Sequence, residues 1–339
     1  MQMPATLIPD EMKLIPIRMT LPKILVGLLC LSLFSCAGTK WTVKSGDREQ
    51  MTADIAFLAS DKLEGRGFGS KGEIKAGDYI ADRFKVLGLK PMGDNGTYFQ
   101  TFSVKKQSAH DVEFGADKEP GTTQGRNVIG FLDQGAKYTV IVGAHYDHLG
   151  FGGVGSLAPD DHSIHNGADD NASGTAMIME LAQQLIPYKD HNYLFIAFTG
   201  EENGLWGSNY FTKHPTIDLS TVAAMVNFDM VGRLKENKFA INGTGTSPSW
   251  PTIISDANVF GFDITMSESG VGPSDHTSFY LKHMKKDLGL VMEAAKEKDL
   301  SLPITGLAFH LYNYAARSGL ADLDYTGIYK FLRKINGIE

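Results

Sequence analysis

The run Tyr138–Ala144, YTVIVGA, is short, apolar and β-branched, and it delivers the chain into His145 and Asp147. Bounded as it is by polar residues, it reads as a buried strand. The same arrangement recurs further along. YLFIAF (Tyr193–Phe198) leads through Thr199 and Gly200 into Glu201 and Glu202, and VAAMVNF (Val222–Phe228) leads into Asp229. Between the first two runs lies NGADDNASG, with Asp169 and Asp170, followed by the helix-like GTAMIMELAQQL (Gly174–Leu185). A second helix, Leu205–Lys213, follows Glu202. Strand, helix, strand, helix, strand predicts an α/β fold with a mostly parallel central sheet sandwiched by helices. Sheets of this kind carry their chemistry in the crevice beyond the carboxyl ends of the strands. An imidazole and several carboxylates gathered there would repel unless cations neutralised them, so the pattern predicts a metal site.

Composition frames that expectation. The chain has 339 residues, 42% of them hydrophobic and 21% charged, which suits one large α/β domain with attachments. A net charge of −7 argues against nucleic acid as a partner. Both cysteines, Cys30 and Cys36, fall in the first 36 residues, leaving none for a disulfide or a cysteine zinc site further on. That leader has Lys13, Arg18 and Lys23 ahead of the apolar run Ile24–Phe34, the pattern of a secretion signal. Leu33-Phe34-Ser35-Cys36 resembles a bacterial lipobox, which implies export and a lipid anchor at Cys36 on the cell envelope. An ordinary signal cleaved near Ala37 is the alternative.

Asp47–Gly88 predicts two helices around a glycine-rich turn. Gly67–Gly72 in that turn matches GxGxxG, but a dinucleotide fingerprint must follow a strand, and here the preceding DIAFLASDKLEG is helix-like. No NAD partner is expected.

GAHYDHLG, GADDNASGTA, FIAFTGEENGLWGS, NFDMVGR and SDHTSFY, in this order, resemble the co-catalytic zinc aminopeptidases, a family that includes secreted bacterial leucyl aminopeptidases and is related to glutamate carboxypeptidase and glutaminyl cyclase. The resemblance covers about residues 47–281. It implies the zinc aminopeptidase and phosphorylase-like fold, two zinc ions, and peptide substrates with a free amino terminus. It assigns His145, Asp170 and Asp229 to one zinc, and Glu202 with the bridging Asp170 to the other. Asp147 would hold the second ring N–H of His145, the usual support of a metal-bound histidine. Glu201 would be the general base that takes a proton from the attacking water, and Asp275 would contact substrate or oxyanion with His276 nearby. Asp169 is expected to stabilise its loop, and His148, His162 and His165 to be loop or rim residues.

One departure matters. After SDHTSFY the family continues to a buried strand and a last zinc histidine near a DYH-type motif, whereas residues 282–339 read as an all-helical segment. From Lys286 to Tyr325 this tail resembles the carboxy-terminal helices of 3-hydroxyisobutyrate dehydrogenases, with Lys286 aligned to a lysine near the nicotinamide. The Asp170–Glu202 zinc is therefore expected to lack its histidine, with His283 and His310 as possible substitutes. Three readings remain open: a working aminopeptidase, a degenerate member with weak or no turnover, and an aminoacyl cyclase of the glutaminyl cyclase type.

Overall fold

The computed structural model describes residues 45–106, 112–116, 120–153, 155–280 and 282. The leader at 1–36, with Cys36, and the tail from 283, with His283, Lys286 and His310, lie outside the described residues.

Two helices open the domain, α1 (Ser45–Leu58) and α2 (Lys71–Val86), on either side of the glycine-rich turn, as the sequence predicts. Ser70 caps α2 by accepting from the Glu73 backbone N–H at 3.1 Å, and the Glu73 carboxylate reaches back to the Gly69 N–H. That reciprocal pairing satisfies donors the helix start leaves open. There follow β1 (Lys90–Pro91), β2 (Phe99–Lys106), β3 (Val112–Gly115), β4 (Thr123–Leu132) and β5 (Thr139–His145). Then come α3 (Gly174–Gln184), β6 (Asn192–Phe198), α4 (Trp206–Lys213) and β7 (Val222–Asn227). A small two-stranded sheet of β8 (Lys238–Asn242) and β9 (Asp263–Ser267), with α5 (Trp250–Ala257) between them in sequence, completes the described elements.

The main sheet runs β3-β2-β4-β6-β5-β7, with β1 also paired to β4. It is a mixed sheet. The parallel character expected from the sequence is confined to β6-β5-β7, while the pairings among β1, β2, β3, β4 and β6 are antiparallel. The cause is connection length: short links join β2, β3 and β4, whereas the helix-bearing connections from β5 to β6 and from β6 to β7 are long enough to return the chain in the same direction.

Alternation along the strands separates two packed layers. Val142 and Ala144 of β5 and Phe195 and Ala197 of β6 face Ile80 and Phe84 of α2 and Ala176, Met179 and Ala182 of α3. Ile141, Leu194, Ile196 and Phe198 face the other way, onto Phe211 of α4 and Phe279. Helices thus cover both faces, and every residue of β6 is buried. The chain leaves β5 through α3 over one face to reach β6, and leaves the neighbouring β6 through α4 over the other face to reach β7. This is a topological switch point, where the loops part and leave a crevice.

Candidate metal centre

His145 is the last residue of β5, Glu201 and Glu202 follow β6, and Asp229 follows β7, so the crevice at the switch point receives all of them. Asp170 enters from an irregular turn before α3. The Nε2 atom of the buried His145 lies 3.3 Å from Asp170 Oδ1, 3.3 Å from Asp229 Oδ1 and 3.9 Å from Glu201 Oε2. Atoms bound tetrahedrally to one zinc at about 2.0–2.2 Å stand about 3.3–3.6 Å apart. His145 Nε2 thus stands at the spacing of a shared cation from Asp170 and from Asp229, and His145, Glu201 and Asp229 each offer a ligand atom within 4.8 Å of the others. On the other side, His148 Nδ1 lies 2.7 Å from Glu202 Oε1 and 3.9 Å from Asp170 Oδ2. Asp170 thus turns one oxygen toward each histidine, as a bridging carboxylate must.

Backbone contacts fix these loops. The fully buried Asp147 accepts from the backbone N–H groups of Glu201 at 3.1 Å and Glu202 at 3.4 Å. Asn171 donates to the Phe228 carbonyl and accepts from the Gly174 and Met230 N–H groups. Ser173 accepts from the Val231 N–H and Asp169 from the Gly232 N–H. The Asp170 and Asp229 loops are in this way laced together by side chains that flank the candidate ligands.

Arg66 is the hub beneath them. It is wholly buried and donates to the carbonyls of Tyr146 at 2.8 Å, Asn166 at 2.7 Å and Gly167 at 2.8 Å, and also to that of Leu58. Its turn runs through three left-handed residues, Glu64, Gly65 and Arg66. Gly65 is required there, because a Cβ would stand 2.4 Å from the carbonyl oxygens of Gly150 and His165.

The electrostatics call for a cation. Burial pushes the Glu201 carboxyl up to about 9, opposed by His145 and reinforced by Asp275, Asp147 and Asp229. Burial raises Asp275 to about 7, with Asp147 and Asp229 adding to it and His145 and the nearby Ser208 hydroxyl opposing. Burial disfavours charge on His145, but Asp147, Asp170 and Asp229 outweigh it and drive its value well above the ordinary one. Burial brings Arg66 down to about 10 against the pull of Asp147, Asp170 and Glu202. Carboxylates from Asp147, Asp170, Glu201, Glu202, Asp229 and Asp275 around two imidazoles and one guanidinium form a donor set that suits divalent metal.

The geometry gathers every sequence-predicted site residue into this crevice, with two changes. Asp147 is the first: its carboxylate stands 3.6 Å from His145 Nδ1, farther than its own carbonyl at 3.3 Å, and its firm bonds go to the Glu201–Glu202 turn. The second is His148, expected at the rim and found 10% exposed against Glu202. Asp169 is the loop-stabilising residue expected, and His165 stays in its loop, with Nε2 3.4 Å from the Asp161 carbonyl. Asp275 and His276 border the centre through Ser274, whose hydroxyl accepts from Asn227 at the end of β7. Arg66, Asn171 and Ser173 escaped the sequence reading. The S/T/N-rich flanks of the DD pair were the available signal for the last two; Arg66 had none.

Residues 127–294 match peptidase family M28. Residues 270–332 match the NAD-binding domain of NADP-dependent 3-hydroxyisobutyrate dehydrogenase, so the tail resemblance holds too. A protein of Arthroderma otae named "Probable leucine aminopeptidase" is 35% identical over 198 residues, 56% of this chain and 46% of its own length. Among solved structures, a Zn-dependent exopeptidase from Parabacteroides distasonis superposes with a TM-score of 0.53 at 20% identity, over 68% of this chain and 78% of that one. Glutaminyl cyclase from Bacteroides thetaiotaomicron superposes with a TM-score of 0.50 at 17% identity, over 70% and 81%. These structural likenesses establish the fold. The chain spans about half the length of the curated relatives it matches.

Proposed function

We propose that the chain is an exported, lipid-anchored zinc aminopeptidase that hydrolyses the peptide bond next to a free amino terminus. The observation that carries this reading is the convergence of Asp170, Asp229 and Glu201 carboxylate oxygens on His145 Nε2, at 3.3, 3.3 and 3.9 Å. In this reading His145, Asp170 and Asp229 would hold one zinc, and Glu202 with Asp170 would hold its neighbour. Zinc so held would polarise the scissile carbonyl and acidify the attacking water. Glu201 then accepts the water's proton and returns it to the leaving amine, and the Asp147 bonds to the Glu201 and Glu202 N–H groups keep both carboxylates aimed. Asp275, fully buried within electrostatic reach of His145 and Asp229, would contact substrate. The acidic surround favours the ammonium of a free amino terminus.

The anchor is supported by the basic leader, the apolar run Ile24–Phe34 and the lipobox-like Leu33–Cys36; it would place the enzyme on the outer side of a bacterial membrane. NAD chemistry is not part of the proposal: the element ahead of Gly67–Gly72 is a short turn after α1, with no strand leading into it. The dehydrogenase-like tail is read as a fusion.

The test is metal analysis of the purified full chain together with hydrolysis of leucyl- and alanyl-anilides, with a glutaminyl peptide assayed in parallel for ammonia. Zinc-dependent release of the anilide supports the proposal. Ammonia loss without anilide hydrolysis would replace it with the cyclase reading, and a zinc-loaded protein inert to both would make it a degenerate member.

A further inference from the structure

We infer that His148 is the nitrogen ligand of the second metal, beside Asp170 and Glu202. The inference rests on the proposed zinc centre and assigns a residue to it. A catalytic zinc ordinarily takes three protein ligands, and among the described residues His148 joins Asp170 and Glu202 as the third. His148 Nδ1 faces both, at 2.7 Å from Glu202 and 3.9 Å from Asp170. These distances straddle the roughly 3.3–3.6 Å expected between ligands of one zinc, so a ring displacement of about half an ångström completes the site.

The ring has a prepared seat. A Cβ on Gly167, which is left-handed at φ +56, would stand 2.6 Å from the imidazole carbons of His148; only glycine lets the ring lie there. The backbone is pinned as well. The His148 N–H donates to the Arg66 carbonyl at 3.1 Å, and the Gly150 N–H to the Gly65 carbonyl at 3.0 Å. Arg66 in turn holds the Tyr146 and Gly167 carbonyls, so one buried guanidinium sets both the position of His148 and the glycine beneath it. An ordinary ion pair with Glu202 would account for the 2.7 Å contact. It would not account for Asp170 dividing its two oxygens between His145 and His148.

Zinc titration of the metal-free full chain against a competing chelator, with cobalt substitution read by proton NMR, separates the possibilities. The wild type should bind two ions, and its cobalt form should show exchangeable, strongly shifted N–H signals from two imidazoles. His148→Ala should keep the tighter ion, weaken the other roughly 10–100-fold or more, and lose one of the two shifted signals. His165→Ala, on the same loop, should keep both. Two tight ions in a folded His148→Ala, or one shifted imidazole signal in the wild type, would overturn the role of His148 and leave the metallopeptidase reading standing. A wild type that binds no zinc would overturn both. A single shifted signal in the wild-type spectrum overturns the role of His148 even where the variant does not fold.

Discussion

Arg66→Lys is the substitution with the widest predicted consequences. The guanidinium donates to four carbonyls, those of Leu58, Tyr146, Asn166 and Gly167, in a wholly buried position. Lysine keeps the charge but offers three donors from a single point and no planar fork. At least one carbonyl goes unpaired, and a second is reached only with poor geometry. Hydrogen bonds to charged groups contribute about 1.5–3 kcal/mol each, so two lost bonds cost about 3–6 kcal/mol. A domain of ordinary stability has about 5–15 kcal/mol in all. Burial that lowers Arg66 to about 10 also acts on lysine, which starts from a lower value and would shed its proton more readily. Urea unfolding followed by circular dichroism should show the midpoint shifted by that amount, and zinc affinity should fall with it, because Tyr146 lies between His145 and Asp147. Arg66→Met should fail to fold. An Arg66→Lys protein within about 0.5 kcal/mol of wild type, with zinc binding unchanged, would refute the claim that this side chain organises the centre.

Glu201→Gln should retain zinc and lose turnover by about 10²–10⁴, the usual worth of general acid–base catalysis; equal loss of metal in elemental analysis would make Glu201 a ligand. Asp229→Ala and His145→Ala should each remove the tighter ion in the chelator titration, and retention of two ions in either would sink the assigned ligand set. Glu73 is 2% exposed, and burial raises it to about 8, partly countered by Thr199 and the Gly69 N–H. Since its folded value exceeds its unfolded one, it contributes stability that is full below about pH 4.5 and lost as pH rises through about 8. Unfolding of the wild type should therefore weaken relative to Glu73→Gln by up to about 5 kcal/mol between about pH 5 and 9, and parallel pH curves would exclude a buried, perturbed Glu73. Cys36→Ala should move the protein from the membrane fraction to the soluble one, and unchanged fractionation would exclude the lipid anchor.

What could be read from sequence depended on whether the cause was local. β5 and β6 announce themselves because both faces are buried, leaving near-continuous apolar runs. The helices after Asp170 and Glu202 show their period just as plainly. The antiparallel half of the sheet does not: β2, FQTFSVKK, buries the polar Gln100 and Ser103 among its apolar residues, and pairing direction is set by the links between strands. β8 and β9 are short and largely exposed, with little apolar signal. At the centre, strand-end acids were legible from position. Arg66 was not, since three of its four partners are main-chain carbonyls 80 to 101 residues away, which no side-chain pattern marks. His148 likewise gains its meaning only when Glu202, 54 residues on, folds against it.

The central claim is that zinc bound by these strand-end residues makes the chain a peptidase. Its most direct test is to strip the purified full chain with chelator and follow leucyl-anilide hydrolysis while zinc is added back. Activity should vanish on stripping, return with added zinc, and stay absent in Glu201→Gln under the same loading. Hydrolysis that survives complete removal of metal, or that persists undiminished in Glu201→Gln, would contradict the account.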